Sequence, residues 1–196
     1  MHIELWQITE NPEVLIARCA RVSRGKNEAP TLPEAQDFIR KLIAKGHESV
    51  LEHAYATFYV SGISRVTMAQ ITRHRLASFT VESQRSVRPK EEVLVPASIK
   101  AVQNENLIQI HLNNAFLLYD YLVLWGVPKE DARYFLPQAV ATSMVVTANF
   151  REWRHILKLR TSHEAQWEIR ELCTEIGKIL AEKAPSVFED ILKEGK

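Results

Sequence analysis

The stretch that most constrains the fold is Asn104–Trp125, where Leu107, Ile110, Ala115, Leu118, Leu122 and Trp125 recur at spacings of three to five. That period belongs to a helix of about six turns. Gly126-Val127-Pro128 follows, and a glycine and then a proline is how such a helix stops. A chain of 196 residues has room for one substantial core, so a single domain over 1–196 is expected.

Other elements are legible from their ends. Asn11-Pro12-Glu13 opens a helix through Val14, Leu15, Ala17, Arg18 and Cys19. Thr31-Leu32-Pro33-Glu34 has the form of a capping box, in which the hydroxyl and the carboxylate each satisfy a free backbone N–H. The helix behind it carries Ala35, Phe38, Ile39, Leu42 and Ile43 on one face and ends at Gly46. Ser64 is placed to cap a helix over Arg65–Arg75. Lys129–Phe135, Arg151–Leu159 and Glu164–Lys183 read as helices, and Pro185 opens a short last one.

Strands are predicted at 2–8, at 55–60 with Ser61-Gly62 as its end, and at 142–150. Val81–Val95 reads as extended, punctuated by Pro89. These strands do not alternate regularly with helices. The expected class is therefore α+β, mostly helical with a small mixed or antiparallel sheet.

Composition excludes several functions. Basic and acidic side chains nearly balance, 25 against 24, which argues against a general nucleic-acid binder. Two cysteines, Cys19 and Cys173, make neither a disulfide framework nor a zinc site; both read as packed core thiols. The opening Met1–Trp6 is not a signal peptide, and no apolar run approaches the roughly 18 residues of a membrane span. A soluble, cytoplasmic protein is expected. There is neither a Gly-x-Gly-x-x-Gly nor a Gly-x-x-x-x-Gly-Lys-Ser/Thr, so any nucleotide must be held by side chains and helix ends.

Against this neutral background, Arg73–Arg88 concentrates four arginines, one histidine and three serines, with Glu82 the single acid. Guanidinium groups capture phosphate or carboxylate by paired hydrogen bonds. Successive residues on a helix end, Arg73, His74 and Arg75 would fan around roughly 200° and could not all grip one small anion. Extended, Ser83 and Arg85 would share one side. A solvated basic helix end and surface loop serines remain the plain alternatives. No dedicated base stands beside Ser83 in sequence, so ligand binding fits it better than a role as nucleophile.

Arg-His-Arg followed after seven residues by Ser83, and then by Arg85, resembles the signature of the flavin-dependent thymidylate synthases, the ThyX family. Gly46–His53 is similar to that family's upstream histidine segment, and Ala132–Pro137 to its arginine–leucine–proline segment. Asn149-Phe150-Arg151, Leu159-Arg160 and Glu164–Arg170 resemble its C-terminal blocks in order and spacing.

The resemblance implies a homotetramer with sites shared between subunits, acting on dUMP with FAD as cofactor and with methylenetetrahydrofolate and NADPH as co-substrates. It implies FAD contacts at Ser49, Arg73, His74, Arg75, Val81, Asn149, Arg151 and His155. It places dUMP at Gln70, Arg73, Ser83, Gln84, Arg85, Arg133 and Arg160. Arg160 and His47 would be the catalytic residues, with Arg160 polarising the uracil ring and His47 near flavin and folate. Neither a metal, a nucleic acid nor a membrane is implied.

The sequence departs from the family at Thr80-Val81-Glu82, Ser86, His155 and Glu164, so contacts at 80–82 are expected through the backbone. Two rivals stand: a protein of this family without methylation activity, and a noncatalytic RNA- or nucleotide-binding module.

Overall fold

The computed structural model describes residues 1–102 and 105–191. Its centre is a four-stranded sheet, ordered β1-β2-β4-β3 and antiparallel at every pairing. The strands are β1 (His2–Ile8), β2 (Tyr55–Ser64), β3 (Ser78–Val81) and β4 (Ala141–Asn149). The α+β expectation holds, with the sheet antiparallel.

Alternation decides which face is covered. Ala56, Phe58 and Val60 of β2 and Met144, Val146 and Ala148 of β4 are buried, while their neighbours along each strand are partly open or exposed. Against the buried side lie helices α1 (Pro12–Val22), α2 (Leu32–Ala44), α7 (Phe150–Arg160), α8 (Trp167–Lys183) and α9 (Pro185–Phe188). Ile16, Ile39, Trp153, Ile156, Leu172, Ile176 and Phe188 join the same core. The capping box is present at α2, with the Thr31 N–H donating to Glu34 Oε2 at 2.9 Å.

Strand β2 does not end at Ser61-Gly62. It runs on to Ser64 across an irregular register between Ser61 and Ile63. Gly62 sits there at φ 65, a conformation that costs glycine little. β4 supplies backbone partners as far as Ala141, so the glycine bends the strand without stopping it.

Helix α3 (Arg65–Ile71) is capped by Ser64, whose Oγ accepts from the Thr67 N–H at 3.1 Å. It stops four residues short of Arg75, so Arg73, His74 and Arg75 lie in the turn that leads to β3. Farther out, α4 (Ala97–Lys100) precedes the long α5 (Glu105–Leu124), then α6 (Lys129–Ala132) and a 3₁₀ turn, Arg133–Phe135. The expected start of the long helix at Asn104 lies outside the described residues. Among the described residues no helix is long and apolar enough to cross a membrane.

Candidate active site

Helix α7 organises the site. Asn149 ends β4 and caps the helix, its Oδ1 accepting from the Glu152 N–H at 2.8 Å. One turn gives Arg151 and His155 a common side, and both line a cleft of about 550 Å³ with Asn149, Glu152, Lys158 and Leu76. Glu48 and Glu52 close it from the 3₁₀ segment Glu48–His53. Arg151 pairs with Glu52 at 2.6 Å. His47 and Ser49 are exposed on either side of Glu48.

The cleft suits part of a dinucleotide. It has the volume of a small-molecule site and the positive end of a helix eleven residues long. Leu76 brings to its rim the turn that bears the exposed Arg73 and Arg75. Its acids make it amphoteric, and the Arg151–Glu52 pair is exposed enough to exchange for a phosphate.

His74 parts company with the two arginines beside it. It is 6% exposed, and its Nε2 accepts from the Arg160 Nε–H at 3.0 Å. The Gln70 carbonyl accepts from Arg160 Nη2 at 3.3 Å. Thus Gln70, His74 and Arg160 meet at the end of α7, with His74 buried and the other two half-buried. Burial, then the charges of Arg160 and His155, push His74 down to about 4. Burial raises the carboxyl of Glu152 above its ordinary range.

A second cluster forms around Glu130. Its carboxylate takes Arg85 at 2.6 Å, and its carbonyl accepts from Arg133 Nε at 3.0 Å. Ser83–Val87 is a turn, with the Ser86 and Val87 N–H groups donating to Ser83 O at 3.2 and 3.0 Å. The expected extended side shared by Ser83 and Arg85 is therefore replaced by a local bond, Arg85 N–H to Ser83 Oγ at 3.3 Å. Gln84 is buried, and Val81 packs its side chain on the core. Glu82 accepts from Ser143 Oγ at 2.6 Å.

Several residues that frame the site were missed from sequence: Leu76, Glu48, Glu52, Glu152, Lys158 and Glu130. For Glu152 there was a signal, since Asn149 followed three residues on by a glutamate is a helix-start pattern. The surface acids carried none. Cys173 is fully buried and its thiol pushed up to about 12 by burial, as a packed thiol should be. Cys19 is half-buried, and neither cysteine is in a disulfide. No group of three or more metal-ligating side chains occurs among the described residues.

Comparison with known proteins agrees with this architecture. The model of the family Thy1, described as Thymidylate synthase complementing protein, matches residues 4–186. A flavin-dependent thymidylate synthase of Geobacter sulfurreducens is 40% identical over 200 residues, covering 97% of this chain and 86% of that protein. Its counterpart from Sulfurisphaera tokodaii is 35% identical over 196 residues, covering 96% and 76%. In fold, the chain is similar to the crystal structure of the UMP/dUMP methylase PolB from Streptomyces cacaoi bound with 5-Br dUMP. The TM-score is 0.86 at 24% identity, over 96% of this chain and 93% of that one.

Proposed function

The chain belongs to the Thy1 family of flavin-dependent thymidylate synthases, and from that premise we propose that it converts dUMP to dTMP, with methylenetetrahydrofolate as carbon donor and NADPH as reductant of bound FAD. The observation that carries the reading is the state of Arg160. Its Nε–H and one Nη2–H go to neutral acceptors, an imidazole nitrogen and a carbonyl. No carboxylate pairs with it among the described residues, so its positive charge is left for a ligand.

That charge has a chemical use. The uracil ring must become electron-rich at carbon 5 before it can take up a one-carbon unit. A guanidinium beside the imide nitrogen favours the anionic ring, and it does so most strongly where water is excluded. Gln70 shares the position with Arg160. Arg85, Arg133, Ser83 and the turn around Gln84 take the phosphate and sugar, with Glu130 giving up Arg85 as the phosphate arrives. Arg73 lies at the junction of the two ligands.

The cleft under Leu76 takes the flavin dinucleotide through Ser49, Arg73, Arg75, Asn149, Arg151 and His155, with Val81 contributing backbone. Bound FAD would supply the hydride chemistry that no side chain offers. His47, exposed and next in sequence to Glu48 of the cleft, is the residue on the folate side.

In one chain the substrate residues fall into two clusters, around Arg160 and around Glu130. A site shared between subunits joins such halves. An apolar stripe on α5 and just beyond it supports assembly into a tetramer: Leu107, Ile110, Leu117, Tyr121, Leu124 and Trp125 are all exposed. The enzyme so assembled acts in the cytoplasm.

The test begins with the visible spectrum of the purified protein. A flavin spectrum, NADPH oxidation that depends on dUMP, and dTMP detected by chromatography are expected. A colourless protein that gains no flavin spectrum with FAD would overturn the reading. NADPH oxidation without dTMP would leave a flavoprotein that does not methylate.

A further inference from the structure

We propose that His74 is a positioning residue for Arg160, a neutral acceptor that fixes the guanidinium; this rests on the reading of Arg160 as the group facing the uracil ring. His74 lies between two exposed arginines in sequence yet is turned inward. Its Nε2 receives the Arg160 Nε–H at 3.0 Å.

An imidazole nitrogen accepts a hydrogen bond only when it carries no proton, and arginine is always a donor. The bond therefore fixes one tautomer, with the proton on Nδ1. Nδ1 faces Glu152 Oε1 at 3.7 Å. That is too long for a hydrogen bond and close enough for the carboxylate to orient the N–H. Glu152 is itself held by its backbone N–H on Asn149.

The Arg160 guanidinium is thus gripped along one edge. His74 takes Nε–H and the Gln70 carbonyl takes Nη2–H, so Nη1 and the outer hydrogen of Nη2 remain for a ligand. Protonating His74 would remove the acceptor and set two cations in contact. Among the described residues, the titratable and charged groups facing the ring come from α7: Arg160, Glu152 and His155, the last with its ring centroid 5.8 Å away. From α8, buried Cys173 stays a neutral thiol beside Arg160. Burial and the Arg160 charge hold His74 well below its ordinary range, which keeps the acceptor available at neutral pH.

The test compares flavin-loaded wild type with His74→Ala, His74→Gln, Arg160→Lys and the double variant His74→Ala/Arg160→Lys. Expected for His74→Ala are an unchanged flavin content and a dUMP KM within about threefold, but a kcat for dTMP lower by about a hundredfold, the cost of misplacing a reacting group. His74→Gln offers an amide oxygen to the same N–H and should recover part of the rate. In the Arg160→Lys background, His74→Ala should add nothing.

Nitrogen NMR of the wild type, which needs no turnover, should show a neutral His74 with Nδ1 protonated from about pH 5.5 to 8. Loss of flavin in His74→Ala, an undiminished effect in the Arg160→Lys background, or a protonated ring at neutral pH would each overturn the proposal. If His74→Ala fails to fold, His74→Gln carries the same comparison. If Arg160→Lys forms dTMP at the wild-type rate, the reading of Arg160 fails, and the NMR result still judges the His74–Arg160 bond.

Discussion

The middle of α7 and its C-terminal end each enclose an arginine, and they treat its charge in opposite ways. Arg154 is 1% exposed and meets Asp190 through two bonds of 2.7 Å. It also bonds the Val187 carbonyl and lies 3.4 Å from Glu48. Its charge is spent inside the protein, clamping the C-terminal segment and the Glu48 segment to α7. Arg160, six residues on, is held by two longer bonds, and among the described residues only by neutral acceptors. The difference separates two uses of one side chain. Carboxylate partners make an arginine a fastener, whereas neutral partners orient it and leave its charge available.

The largest effect that would break this contrast is on stability. Arg154→Ala strips the partner from Asp190 and opens a hole in a packed interior, so a loss of about 3–5 kcal/mol is expected in chemical denaturation. A loss under about 1 kcal/mol would mean the clamp is not a fastener.

Acid comes next. The folded state holds His74 at about 4 against an ordinary 6.5, so between those values the unfolded chain binds a proton that the native chain does not. Stability should therefore fall as pH drops from 6.5 to about 4 and level off below. His74→Gln should flatten that part of the curve by on the order of 2 kcal/mol. Parallel curves would show that His74 is not held neutral.

The smallest effect concerns the other cluster. The Arg85–Glu130 pair is exposed on both sides, where such pairs contribute little. Glu130→Gln should leave the melting temperature unchanged and lower the dUMP KM by roughly threefold or less, since Arg85 no longer has to be released. A large rise in KM would make Glu130 a contact of the substrate.

Elements whose signals are local were legible in the sequence. The capping box at Thr31 and Glu34, the Ser64 cap and the limits of β1 were found because residues three or fewer apart decide them. The common side of Arg151 and His155 follows from a spacing of four, one helical turn, and both line the cleft. What was not legible depends on distant partners. Nothing around Arg73–Arg75 stops a helix; α3 ends early where His74 turns in to meet Arg160, 86 residues away. An arginine inside an amphipathic helix reads as exposed, and only Asp190, 36 residues on, shows why Arg154 is buried. The extension of β2 past Gly62 likewise needed β4 as a neighbour.

The most direct measurement takes purified Arg160→Ala and reads melting temperature, flavin spectrum and dTMP formation on one preparation. Expected are a melting temperature within a few degrees of wild type, bound flavin retained, and dTMP formation reduced at least about a thousandfold, the scale for removing an electrostatic stabiliser. Wild-type dTMP formation, or loss of the flavin with the fold intact, would contradict the assignment of Arg160's free charge to the uracil ring.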